Sequence, residues 1–211
     1  MKNITFTLFY ASWCGYCKRF MPDWEKFKQK VASMKQKLND KGIFVTILEY
    51  ESEMKDKMRE NKIKQYPTIK VKIEEDYEGK KAFKEINDHL EILCNDSDNL
   101  MLEYFFSNKC KHCVNFAPEW EKLKKICKGE IKIKEYEESK SIEIMDKRDI
   151  EGYPTLRISR EITVKEDRDI PKLLGYIDKD IFGLQTGGGD YYYQKYLKYK
   201  KKYEELKNKQ R

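Results

Sequence analysis

No run of apolar residues in this chain approaches the ~18 that a membrane-crossing helix needs, so no transmembrane segment is expected. A secretory leader is not expected either. Met1-Lys2-Asn3 leads straight into Ile4-Thr5-Phe6-Thr7-Leu8-Phe9, a short run followed by Trp and Cys rather than a small-residue cleavage site. Lys209-Gln210-Arg211 does not match an endoplasmic-reticulum retrieval signal. These absences argue against secretion and set a cytoplasmic, reducing compartment as the expectation. There, paired cysteines serve catalysis or metal binding more often than structure. Histidine is scarce: His89 falls in a charged stretch and reads as a surface residue, and His112 lies between two cysteines. Excess charge is scarce over most of the chain. Residues 185–211 hold eight Lys/Arg against three Asp/Glu, so they supply most of the net +7 and leave the rest close to neutral.

What the chain does have is a repeat. Phe9, Cys14, Cys17, Phe20, Pro22 and Trp24 return 96 residues later as Phe105, Cys110, Cys113, Phe116, Pro118 and Trp120. Six anchors at identical offsets divide the 211 residues into two small units, 1–95 and 96–184, and a tail, 185–211. With 39% hydrophobic and 13% aromatic residues, each unit is long enough for a modest core, and 38% charged residues imply a heavily solvated surface.

In the first unit Ile4–Tyr10 is a β-branched and aromatic run suited to a buried strand. Phe20, Trp24, Phe27, Val31, Met34 and Leu38 then form one apolar stripe along a helix that Pro22 should kink. Ile43–Tyr50 reads as a strand, 51–61 as a charged helix with Met54 and Met58 inward, and Ile69–Ile73 as an alternating strand opened by Tyr66-Pro67-Thr68. A strand over Lys80–Glu85 and a helix over Ile86–Leu93 close the unit. The second unit restates this with strands Leu100–Phe106 and Ile131–Tyr136 and helices Cys110–Lys128 and Ser139–Asp149. After Gly152-Tyr153-Pro154-Thr155 come a hairpin, Leu156–Ser159 with Ile162–Lys165, and a closing helix, Ile170–Phe182.

Two residues between the cysteines let one turn of helix hold both sulfurs within bonding distance. The first sulfur of each pair sits at a helix N-terminus, where unpaired backbone N–H groups favour the thiolate. Cys14 and Cys110 are therefore the expected nucleophiles, with Cys17 and Cys113 resolving the mixed disulfide. Tyr16, Lys109, Lys111 and His112 are the expected modulators, and the three potential cations around Cys110 predict the more oxidising disulfide at the second site. A zinc site joining all four cysteines would need an intervening stretch near 92 residues against the usual ~15–20, so no metal is expected, nor any cofactor. Cys94 and Cys127 read as small buried hydrophobes, and Trp24 and Trp120 as core.

The order β-α-β-α-β-β-α with Trp13-Cys14-Gly15-Tyr16-Cys17, Pro22 and the later Tyr66-Pro67-Thr68 resembles the thioredoxin superfamily. Gly152-Tyr153-Pro154-Thr155 is similar to its protein disulfide isomerase branch. The resemblance implies an α/β chain of two tandem minimal thioredoxin folds, each a mixed four-stranded sheet with flanking helices, and a C-terminal helical tail. It implies cis bonds before Pro67 and Pro154, and substrate binding by Trp13, Tyr66, Pro67, Tyr153 and Pro154. One departure is plain. Where such proteins bury a carboxylate six residues before the first cysteine, this chain has Leu8 and Tyr104, which implies slower exchange. Glu103, one residue away on the strand, should point to the opposite face.

Past the Gly187-Gly188-Gly189 hinge, Tyr192, Tyr196, Tyr199, Tyr203 and Leu206 follow a heptad-like spacing with Lys on the other faces. A solvated helix, docking onto a protein assembly, and binding to nucleic acid or an acidic membrane surface all stay open. The glycine run with a Tyr/Lys-rich end resembles the C-termini of giant cytoplasmic DNA virus proteins. That resemblance implies host cytoplasm, viral factory or virion, with a flavin sulfhydryl oxidase or a cytosolic thiol reductant recycling the cysteines. Two functions follow as expectations: a thiol–disulfide oxidoreductase acting on protein thiols and disulfides, or a non-catalytic thioredoxin-fold binding protein anchored by its tail.

Overall fold

Strand β1 (Lys2–Tyr10) turns Ile4, Phe6 and Leu8 to one face, where they are buried against Trp24, Phe27 and Val31 of helix α1 (Gly15–Ser33). This is the period-2 and period-3.6 patterning meeting in one core. The computed structural model describes residues 1–95, 98–126, 131–164 and 168–178. The tail, Cys127 and the far end of the expected closing helix lie outside the described residues. Pro22 sits inside α1, which runs on to Ser33; Met34 then separates it from the short α2 (Lys35–Asp40). The remaining elements are β2 (Ile43–Glu51), α3 (Lys55–Glu60), β3 (Thr68–Asp76), α4 (Phe83–Asn95), β4 (Asn99–Phe106), α5 (Lys111–Ile126), β5 (Ile131–Glu137), α6 (Ile142–Lys147), β6 (Thr155–Val164) and α7 (Ile170–Gly175). A 3-10 turn, Glu138–Lys140, leads into α6. Among the described residues, no helix is long and apolar enough to cross a membrane.

Two expected strands are absent. Tyr77–Ala82 is irregular and α4 begins at Phe83, so Lys80–Glu85 is not a strand. Thr155–Val164 is one strand rather than a hairpin. A tight reversal favours Gly or Asn at its centre, and Arg160-Glu161 offers neither. Leu156 and Ile158 on one side of half-buried Arg160, and Ile162 and Val164 on the other, are instead buried in the two lobes' cores, and the ladder with β3 runs straight past Arg160.

The consequence is a single sheet of six strands, ordered β2-β1-β3-β6-β4-β5. β1 with β2 and β4 with β5 are parallel, and the inner pairs are antiparallel. Each unit has the mixed four-stranded sheet expected, but its fourth strand comes from the other repeat. The first core gathers Ile162, Val164, Leu173, Leu174 and Ile177 of the second repeat onto Ile4, Phe6, Trp24 and Phe27. The second core takes Ile86, Leu90 and Leu93 of α4, from the first repeat, onto Leu102, Tyr104, Phe116 and Trp120. Even the start of α4 is held across the join, where the Phe83 N–H donates to Glu119 Oε2 at 3.0 Å.

The β3–β6 pairing is pseudo-symmetric. Ile73 and Arg160 face each other across the strands, and both lie six residues beyond their repeat's proline, Pro67 or Pro154. Charges clamp the pairing on either side. Lys70 Nζ meets Glu161 Oε1 at 2.6 Å, and Arg157 Nε meets Asp76 Oδ1 at 2.7 Å. Arg157 is almost wholly buried, so this pair holds an ion that would be costly to leave alone.

Candidate active site

Each Cys-x-x-Cys pair sits where a strand ends and a helix begins. Cys14 is the N-cap of α1, with an extended backbone, and its sulfur accepts the Cys17 N–H at 3.4 Å. As a thiol it donates to the Tyr66 carbonyl at 3.7 Å. That carbonyl directly precedes Pro67, and the Tyr66–Pro67 bond is cis. Cys14 titrates below the usual cysteine range. The Cys17 thiol hydrogen bond is the largest cause, followed by the Cys17 N–H; the Tyr16 N–H and the Arg19 charge add to these. Cys17 behaves in the opposite way, because burial pushes its thiol up to about 11. One pair thus holds a first cysteine that ionises more readily than usual next to a shielded thiol. Trp13, 71% exposed, stands edge-on to Tyr66 at 6.0 Å, an aromatic shelf beside the sulfur.

The second site repeats the geometry. Cys110 donates to the Tyr153 carbonyl at 3.5 Å, and the Tyr153–Pro154 bond is also cis. Hydrogen bonds from the Cys113 thiol and N–H, and then from the His112 N–H, hold Cys110 below the usual range. Burial pushes Cys113 up to about 11, as at Cys17. Lys109, Lys111 and His112 are exposed, and the side-chain charge that acts on Cys110 is Glu138, which opposes its ionisation. At the first site the acting charge is Arg19, which favours ionisation.

β1 and β4 run antiparallel to one another, so their C-terminal ends point to opposite ends of the sheet. The two sites are separated by the length of β6, on the order of 30 Å at 3.3 Å per residue. Four cysteines so placed cannot share one zinc ion.

A sequence model of the thioredoxin family matches residues 2–93 and again residues 83–173. The chain belongs to the thioredoxin family. The residues matched twice, 83–93, are most of α4, the helix that the first thioredoxin repeat lends to the second lobe. Protein disulfide-isomerase A4 of Bos taurus is 31% identical over 189 residues, which is 76% of this chain and 28% of that protein. Protein disulfide isomerase-like 2-3 of Oryza sativa is 25% identical over 206 residues, 74% of this chain and 45% of that protein. This chain therefore spans less than half the length of these relatives. The structure of the first two thioredoxin domains of Naumovozyma dairenensis Eps1p is 16% identical with a TM-score of 0.28, covering 84% of this chain and 91% of that one. Full-length ERdj5 is likewise 16% identical with a TM-score of 0.28, covering 83% of this chain and 29% of that one.

Several residues at the thioredoxin sites were not singled out from sequence. The backbones of Ala11 and Ser107 work against the burial that raises the Cys17 and Cys113 thiols. Glu49 and Glu135 lie cross-strand from Leu8 and Tyr104. Each accepts from a tryptophan Nε1 at 2.7 Å, Trp24 in one lobe and Trp120 in the other, and each is ion-paired, to Lys28 at 2.8 Å and Lys124 at 3.1 Å. A Glu-Tyr step at Glu49-Tyr50 and Glu135-Tyr136 was the repeat signal that marked them. Glu103 faces away from the cysteines, as alternation requires. It is fully buried and accepts from Tyr136 Oη and Arg148, both at 3.3 Å.

Proposed function

We propose that this chain is a thiol–disulfide oxidoreductase of the protein disulfide isomerase type, acting on protein substrates through two independent cysteine pairs. The carrying observation is the split within each pair: a first cysteine with depressed pKa at a helix start, and a second held near 11 by burial. The Cys14 or Cys110 thiolate attacks one sulfur of a substrate disulfide. A mixed disulfide forms and the other substrate sulfur leaves as a thiolate, which takes up a proton. Cys17 or Cys113 then loses its proton and attacks the first cysteine. The pair becomes a disulfide, and the second substrate sulfur departs reduced. Run backward, the same steps place a disulfide in a dithiol substrate.

The carbonyls of Tyr66 and Tyr153 face the reactive sulfurs, where an extended substrate backbone can meet them. Trp13 and Tyr16, both exposed, give the first site an apolar rim that the second replaces with Lys109, Lys111 and His112. The first site is suited to apolar segments flanking a cysteine, the second to acidic ones.

Glutathione equilibration of single-pair variants, read by mass spectrometry, tests the proposal. A potential near ~−270 mV marks a reductant and one near ~−180 mV an oxidant or isomerase. Cysteines that form neither internal nor mixed disulfides at any glutathione ratio would sink the proposal.

A further inference from the structure

β2 and β5 close the sheet at its two edges, and they are equivalent strands of the two repeats. Glu49 stands opposite Leu8 of β1, and Glu135 stands opposite Tyr104 of β4. Counting back from those glutamates, Val45 and Ile47 pack against the first core as Ile131 and Ile133 pack against the second. The alternate positions face the other way, away from α1 and α5, and there the repeats differ. β5 presents Lys132 and Lys134, both exposed, whereas β2 presents Thr46 and Leu48 at the same places and Phe44 beyond them. Lysines on an outer strand discourage it from pairing with another chain. β2 has no such guard. Ile43 to Leu48 is an uncharged run rich in β-branched residues, with Phe44 43% and Leu48 37% exposed. Among the described residues no strand pairs with its outer side.

We propose that the outer edge of β2 is an interface with a second copy of this chain, the two β2 strands pairing antiparallel about a two-fold axis at Thr46. The strand is its own complement in that register. Thr46 meets Thr46 across the axis, Phe44 meets Leu48 on the open face, and Val45 meets Ile47 on the helix side. The two exposed apolar side chains thus cover each other, and a shift of one residue either way would set Thr46 against one of them instead. Glu49, which comes opposite Ile43, already has its charge paired with Lys28 at 2.8 Å. Just past the paired strands Lys41, whose side chain is 49% exposed beside Asp178, comes opposite Glu51. The axis makes that contact twice. A surface that binds itself in this way closes as a dimer and leaves no free edge to recruit a third copy. Both β5 edges stay guarded by their lysines. A single strand pair is a small interface, so a weak, concentration-dependent dimer is expected rather than a permanent one. It uses no cysteine, so it stands or falls apart from the exchange reaction.

Sedimentation equilibrium of the full chain, under reducing conditions that remove disulfide-linked dimers, should show monomer passing to dimer as concentration rises. Thr46→Lys sets like charges against each other at the axis. The fold should tolerate it, because Thr46 is exposed and the second repeat carries Lys132 at the equivalent place. The dimer should weaken about tenfold, and Thr46→Glu should weaken it as much. Mixing the two variants should restore a dimer with one chain of each, at least as tight as that of the parent chain. A parent chain that stays monomeric to its solubility limit, or grows past a dimer, overturns the proposal. A dimer that neither variant weakens places the contact elsewhere and overturns it too. Variants that stay monomeric when mixed show that the two Thr46 positions do not meet, which refutes the register and with it the interface.

Discussion

At the scale of single residues, the pairs should be told apart by pH. Cys14 and Cys110 lie below the ordinary thiol range, whereas Cys17 and Cys113 lie near 11. A depressed pKa means more thiolate at neutral pH, and the thiolate is the species that reacts. Brief alkylation of the reduced chain at pH 7 should therefore modify Cys14 and Cys110 first, with Cys17 and Cys113 following only as the pH nears their own range. Peptide mapping reads the order, and early labelling of Cys17 would contradict the assignment. Charge neutralisation gives a second check. Glu138→Gln should lower the Cys110 pKa and make its disulfide more oxidising; Arg19→Gln should do the reverse at Cys14. Each change should be about two- to threefold in the glutathione equilibrium constant, as expected for exposed charges. That the first cysteine of each pair stands at a helix start was legible from spacing alone. Which charges act on it was not. Adjacency in sequence put Lys109 and Lys111 beside Cys110, but their side chains are solvated, and the acting group comes from a turn after β5.

At the scale of elements, the helices and the first two strands of each repeat follow their apolar spacing, except that Met54, expected inward, is exposed at the start of α3, where Met58 alone is buried. β6 did not, because one polar step, Arg160-Glu161, looks like a turn when only local sequence is weighed. Its pairing partners decide otherwise: Arg160 lies opposite Ile73 and Glu161 opposite Lys72, and both continue the ladder. The reassignment carries a cost in the opposite lobe. Ile162 is in the second repeat but packs into the core built on β1 and α1. Ile162→Ala should destabilise the chain by about 2–3 kcal/mol. Hydrogen exchange should show faster opening in β1 and α1 than in β4 and α5. Opening confined to β4 and α5 would place Ile162 in the wrong core.

For the whole molecule, the crossing of strands and helices between lobes was beyond the reach of one sequence. β3 and β6 carry equivalent patterns, so either a self-contained or a crosswise pairing satisfies the same hydrophobic alternation. What decides between them is the irregular stretch Tyr77–Ala82. It leads directly into α4 and leaves no second strand to fold back on β3. A fragment of residues 1–96 would lack β6 and α7 and expose one face of Ile69, Val71 and Ile73. It should be unfolded by circular dichroism or, at high concentration, pair β3 with β3 of another copy, and adding residues 97–211 should restore helicity. A fragment that sediments as a stably folded monomer would contradict the crosswise assembly.

The shared strands also govern how this protein can be made. When the first repeat leaves the ribosome β3 is paired on one side alone, and the strand that covers its other side, β6, lies in the second repeat. At ~5–20 residues per second, about 5–20 s pass before β6 and α7 follow β3 out of the exit tunnel. During that interval the nascent chain presents an apolar strand edge that its own unfinished half has yet to cover. Synthesis rate and chaperone supply, as much as the folded state's own stability, should then set how much of this protein a cell obtains.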